Sequence, residues 1–159
     1  MAEVCEPTRV HAAVADLSDS RRHVVVPAKR AEKLILRDQT EKPGTVMVKS
    51  FLAVRDLKGK LGADLKTEDG YKAAKNCAEK VLRSVWDTHG TLDGLKVIKV
   101  LGCVNSTLDY SDQHLVINGC SDLLHEIFGK EGDGYHARSA LGFAQLPTGA
   151  AVEVEAIFE

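Results

Sequence analysis

The stretch that most constrains this chain is GLKVIKVLGCVNS, residues 94–106. Apart from Lys96 and Lys99 it is apolar at both alternate sets of positions. A strand half-buried in an ordinary antiparallel sheet alternates apolar with polar; a run apolar on both sides predicts a central strand covered on both faces. The fold must therefore supply two covers for one sheet.

The chain offers one of them. In TEDGYKAAKNCAEKVLRSVWDTH (67–89), Tyr71, Ala74, Ala78, Val81, Leu82 and Val85 recur at helical spacing and form one apolar stripe. Thr67 is the expected N-cap, with Glu68 and Asp69 in the first turn, and Gly90 fits the left-handed position past the end. A second helix is expected over about 112–128, capped by Asp109 or Ser111. Its stripe is Val116, Cys120, Leu123, Leu124 and Ile127, and Gly129 ends it. Within this helix Asn118 and Gly119 are both poor helix formers, which suggests close approach to something, such as a ligand.

Residues 1–23 read as an N-terminal arm with a short helix over 10–17, and residues 24–159 as one domain. An extended segment broken at Pro27, a short strand at 33–36, the turn TEKPG and the β-rich run TVMVKSFLAV precede the first long helix. The last 25 residues, YHARSALGFAQLPTGAAVEVEAIFE, read as a closing hairpin. The order strand, strand, helix, strand, helix, strand, strand predicts an α+β fold: a mixed β-sheet with two helices packed on one face. No third long helix covers the other face, so copies of the same chain are expected to do so in a closed homo-oligomer.

The chain has 159 residues, 44% hydrophobic and 28% charged, the size and composition of one globular domain. With 21 basic and 23 acidic residues the net charge is −2, which argues against nucleic acid as a partner. No apolar run reaches membrane-spanning length and no secretory pattern opens the chain, so a cytoplasmic location is expected. Cys5, Cys77, Cys103 and Cys120 form no CxxC pair, and no histidine pair has ligand spacing; no metal and no cofactor are expected, and the thiols read as reduced and mostly buried.

The closing hairpin carries an unusual charge pattern. In its last strand Val152, Val154, Ala156 and Phe158 share one face and Glu153, Glu155, Ile157 and Glu159 the other. With PTGA as a four-residue loop, Arg138 falls opposite Glu159 and on the face of Glu153, roughly 20 Å from it along the strand. Two readings remain open: structural charges at a rim, or a site shared between subunits.

The residues VLGCVNSTLDYSDQHLVINGCSDLLHEIFGKEGDGYHARSALGFAQLPTGAAVEVEAIFE, with GADLKTEDGYKAAKNCAEKVL upstream, resemble the RidA (YjgF) family, specifically its endoribonuclease L-PSP / chorismate mutase-like branch. About 100 residues match, and the HARSALG…LP…VEVEAI pattern is specific. The resemblance implies a homotrimer with a central β-barrel, helices outside, and ligand clefts between subunits. It implies a small carboxylate ligand of keto- or imino-acid type and hydrolysis of enamines or imines, such as 2-aminoacrylate, to keto acid and ammonia. It assigns Arg138 as the carboxylate clamp, Glu153 as the catalytic, water-orienting carboxylate, and Asn118 and Ser139 as substrate contacts. Arg37, Asp38 and Gln39, standing where the family has Ser-Gly-Gln, would line the cleft with Ala140, and a valine near Val25 replaces the family's N-terminal tyrosine. A non-catalytic metabolite-binding trimer, a chorismate mutase-like activity and an endoribonuclease-like activity are the alternatives.

Overall fold

The computed structural model describes residues 47–52 and 57–159. The arm at 1–23, the strand at 33–36 and the cleft candidates Arg37, Asp38 and Gln39 lie outside the described residues. Four strands, β1 (Met47–Leu52), β2 (Val97–Asn105), β3 (Ala137–Phe143) and β4 (Val152–Phe158), form one mixed sheet. Two helices, α1 (Thr67–His89) and α2 (Gln113–Phe128), cover one face of it. The described residues are thus α+β, with a mixed sheet and two long helices.

The helices form where their stripes place them. Val81, Leu82 and Val85 of α1 and Val116, Ile117 and Leu124 of α2 are buried in the common core. Lys66, not Thr67, is the N-cap of α1; Asp69 Oδ2 accepts from the Lys66 backbone N–H at 3.1 Å. Thr67 lies inside the first turn, and its hydroxyl bonds the Tyr110 hydroxyl at 2.9 Å. Asp112 takes the N-cap position of α2, one residue after Ser111 and three after Asp109, the two expected caps. Gly90 is left-handed at φ 85°, and its N–H returns to the Trp86 carbonyl.

Gly119 is explained by helix crossing rather than by a ligand. A Cβ there would lie 2.0 Å from the Tyr71 carbonyl oxygen, so α2 meets the α1 backbone at this residue. Gly102 does the same for helix and sheet: its missing side chain is filled by Ile117, whose Cγ1 and Cδ1 would sit 2.4 Å from a Cβ.

The closing hairpin does not exist. The strand order is β1-β4-β2-β3, so β2 lies between the two strands expected to pair. β2 pairs parallel with β3 and antiparallel with β4, and β4 also pairs antiparallel with β1. The physical reason is burial. β4 turns Val152, Val154, Ala156 and Phe158 fully under the helices, which requires an inner position. β3 (ARSALGF) has mostly small side chains, none fully buried, and takes the edge.

The connection from β3 to β4 must therefore cross the end of β2, and Asn105 holds it there. Its side-chain Nδ2 donates to the carbonyls of Gly59 and Ala150, its Oδ1 accepts from Lys60 Nζ at 2.7 Å, and its backbone N–H reaches Ala151. Lys60 Nζ also donates to the Ala144 carbonyl. A buried amide with these partners satisfies groups that a crossing loop would otherwise leave bare.

Among the described residues only one face of β2 is covered by helices. Val97, Val100 and Val104 are buried under the helices, whereas Leu101 and Cys103 on the opposite, open face keep partial exposure. Among the described residues no helix is long and apolar enough to cross a membrane.

Candidate functional site

The new topology relocates the charges. Arg138 on β3 registers with Val100, which registers with Ala156. Residues in register share a face, so Arg138 belongs to the helix side of the sheet. Glu153 registers with Cys103 and belongs to the open side. The two are two strands and three residues apart, roughly 14 Å at ordinary strand spacings. The expectation that they share a face is overturned, because it rested on the hairpin pairing that β2 interrupts. Ser139 registers with Leu101 and faces the open side, away from Arg138; Ala140 registers with Gly102 on the side of Arg138.

Arg138 is exposed at the sheet edge, and α2 meets it there. Its Nη1 donates to Asn118 Oδ1 at 2.8 Å and to Ser121 Oγ at 3.2 Å. Asn118 and Ser121 are three residues apart on α2 and so project from one face of the helix. Ser121 is buried, and its Oγ lies 3.0 Å from His136 Nε2; the other ring nitrogen, Nδ1, is 2.6 Å from the Gly134 carbonyl. The His136 ring also lies 5.2 Å from that of His125. Burial, and then the nearby His125 and Arg138, hold the His136 pKa below its ordinary value against the opposing bond to Gly134.

The open face has a different character. Burial, followed by the charges of Glu153 and Glu155, pushes the Cys103 thiol up, which places both glutamates near it. Cys77 and Cys120 lie in the core, where burial pushes each up to about 12. Among the described residues no group of three or more His, Cys, Asp or Glu is arranged to hold a metal ion.

Ser121 and His136 were not among the residues singled out from the sequence. A signal was present: His136 stands two residues before Arg138, immediately ahead of β3, and Ser121 one helical turn after Asn118.

No family model matches the sequence. Over 102 residues, 64% of this chain, it is 47% identical to Protein TCP17 of Trypanosoma cruzi, and the match spans 63% of that protein's length. Among solved structures it is similar to protein Atu1372 of Agrobacterium tumefaciens, of unknown function, at 35% identity and TM-score 0.69, covering 74% of this chain and 77% of the other. A candidate endoribonuclease from Shewanella oneidensis shares the fold at 23% identity and TM-score 0.67, over 73% and 80% of the two chains. The chain shares the fold of these two structures, an α+β fold in agreement with the one that the RidA/YjgF resemblance implies. The HARSALG motif of that resemblance spans the start of the edge strand β3, and the VEVEAI motif makes up most of the inner strand β4.

Proposed function

We propose that the protein is a RidA-like hydrolase of reactive enamines and imines of the 2-aminoacrylate type, acting as a homotrimer at clefts between subunits. The observation that carries this reading is the guanidinium of Arg138, exposed at the sheet edge and steadied from behind by Asn118 and Ser121. Such a fork matches a carboxylate in two parallel charge-assisted bonds. Glu153 lies on the other face of the same sheet, so a cleft using both residues takes Glu153 from a second copy.

The chemistry is modest. The enamine takes a proton at its terminal carbon and becomes an iminium. Water, oriented by Glu153, adds to the iminium carbon while its proton passes to the carboxylate. That proton moves on to nitrogen; the hydroxyl of the adduct then gives its own proton to Glu153 and on to solvent as the carbonyl forms and the C–N bond breaks, replacing the proton taken up at carbon, and ammonia and the keto acid leave. Positioning and one general base suffice for an electrophile this reactive.

The test is keto-acid release from 2-aminoacrylate generated by a coupled enzyme. Wild-type protein should accelerate it. Arg138→Ala should lose about 1.5–3 kcal/mol of substrate binding, a roughly ten- to hundredfold loss in kcat/KM, and Glu153→Gln should lower kcat. Absence of acceleration by the wild type overturns the enzymatic reading. The separation of Arg138 from Glu153 favours one alternative, a metabolite-binding trimer. That reading predicts a carboxylate-induced rise in thermal midpoint, lost in Arg138→Ala, with no turnover.

A further inference from the structure

We infer that Ser121 and His136 are positioning residues for Arg138: together they fix the plane of its guanidinium, so that a ligand carboxylate is met side-on by Nε and Nη2. This rests on the reading of Arg138 as a carboxylate clamp and extends it to two residues without an assigned part.

The hydrogen-bond directions follow from what each group can do. Arginine only donates, so Ser121 Oγ accepts from Nη1. A carbonyl only accepts, so His136 Nδ1 carries the proton shared with Gly134. The Ser121 hydroxyl proton is then left for His136 Nε2, which accepts it in the neutral ring. The chain of donors runs one way, from Arg138 through Ser121 and His136 to the Gly134 carbonyl.

A doubly protonated ring would break that order. Nε2 and Nη1 would both donate onto one buried oxygen, and the serine proton could bond neither. The charged Arg138 from β3 and the titratable His125 from α2 face the ring and also disfavour a second proton on it. The far end of the chain is anchored in backbone: the Gly134 N–H bonds the Gly129 carbonyl at 3.1 Å, and a Cβ at Gly134 would lie 2.5 Å from that oxygen.

The consequence for Arg138 is geometric. Nη1 has two hydrogens, one directed to Asn118 and one to Ser121. With both engaged, rotation about the Cζ–Nε bond is resisted, and the edge formed by Nε and Nη2 is the one left to grip two carboxylate oxygens. Asn118 alone would hold one hydrogen and leave the plane less defined.

Protein labelled with nitrogen-15 in histidine and arginine separates this inference from the reading beneath it. Without ligand, His136 should show the Nδ1–H tautomer near neutral pH, and Arg138 should show resolved, slowly exchanging Nη signals. Ser121→Ala should average those signals while leaving the thermal midpoint near that of the wild type. Pyruvate is the ligand probe. Its Kd should weaken by about three- to tenfold in Ser121→Ala, the loss of one of two bonds to a charged group. It should weaken similarly in His136→Phe and recover in His136→Gln, whose amide oxygen can take the place of Nε2. On an Arg138→Lys background, Ser121→Ala should change nothing further.

An Nε2–H tautomer, or a Ser121→Ala protein with unchanged Arg138 signals and unchanged pyruvate affinity, overturns the inference. Should wild-type protein bind no pyruvate, the carboxylate clamp fails, and the relay is decided by the ligand-free spectra alone. Should His136→Phe not fold, Ser121→Ala, which removes a single oxygen, decides the matter.

Discussion

On the helix-covered face of the sheet, Val97, Val100, Val104, Val152, Val154 and Phe158 are all fully shielded from solvent. One step along the same strands, Leu101, Cys103, Glu153, Glu155 and Ile157 keep part of their exposure, and Leu141 on the edge strand keeps 50% of its own. The strands are identical; only the cover differs. Apolar burial accumulates where helices lie against the sheet, at about 25 cal/mol per Å² removed from water. Among the described residues the apolar burial is therefore concentrated on one face. On the open face leucine and isoleucine sit among glutamates and keep part of their exposure.

The sharpest test of that asymmetry is Phe158 against its neighbour. Phe158 is fully buried and packs against Phe128 with ring centroids 6.2 Å apart. Phe158→Ala should cost about 3–5 kcal/mol in denaturant unfolding, the range for truncating a core aromatic. Ile157→Ala, one position away and half-exposed, should cost well under half as much. Equal losses would mean that the open face is as well packed as the covered one.

Next in size is the contact where α2 presses on the sheet. Gly102→Ala places a methyl group 2.4 Å from Ile117, and overpacking of this kind costs about 1–3 kcal/mol. Adding Ile117→Ala should return part of the loss, which a double-mutant cycle would read as coupling. A neutral Gly102→Ala would show that the helix can retreat without penalty.

The same contrast explains what could be read from the sequence. The stripes of α1 and α2 were legible because helical spacing reports burial directly, and the central place of β2 because it is apolar on both sides. The pairing of β3 with β4 was misread. Alternation assigns faces within a strand, but it cannot say whether two strands touch or are split by a third. With the pairing went the shared face of Arg138 and Glu153. Arg138 and Asn118 came from the family motif, and the structure brings them within 2.8 Å. Ser121 and His136 escaped notice because their contact needs a helical period on one element and a strand period on another, and only the tertiary structure superposes the two. Gly119 pointed correctly to a close approach, but the partner is the Tyr71 backbone.

His136 sits where the covered face gives way to the edge, and its burial should leave a smaller, pH-dependent trace. Its folded pKa lies below the ordinary 6.5, so on acidification the unfolded chain takes up the proton first. Stability present above about pH 6.5 should fall as the pH drops towards the lower folded value, and level off beneath it. In His136→Gln that part of the slope should be missing from chemical melts recorded across the same range.

The smallest effect on the chain itself is expected at Leu141, whose exposure is 50% on the open face. Leu141→Ser removes little buried area from a single subunit, so its unfolding free energy under dissociating conditions should move by no more than about 0.5 kcal/mol. If copies of the chain cover this face, the loss belongs to association instead. Melts would then differ from the wild type increasingly as protein concentration rises, because only an assembled state couples stability to concentration. Light scattering should show the variant dissociating at concentrations where the wild type remains assembled. A loss above 1 kcal/mol that ignores concentration would place Leu141 in the core of its own subunit. The contrast between the two faces would then have to be redrawn around β3.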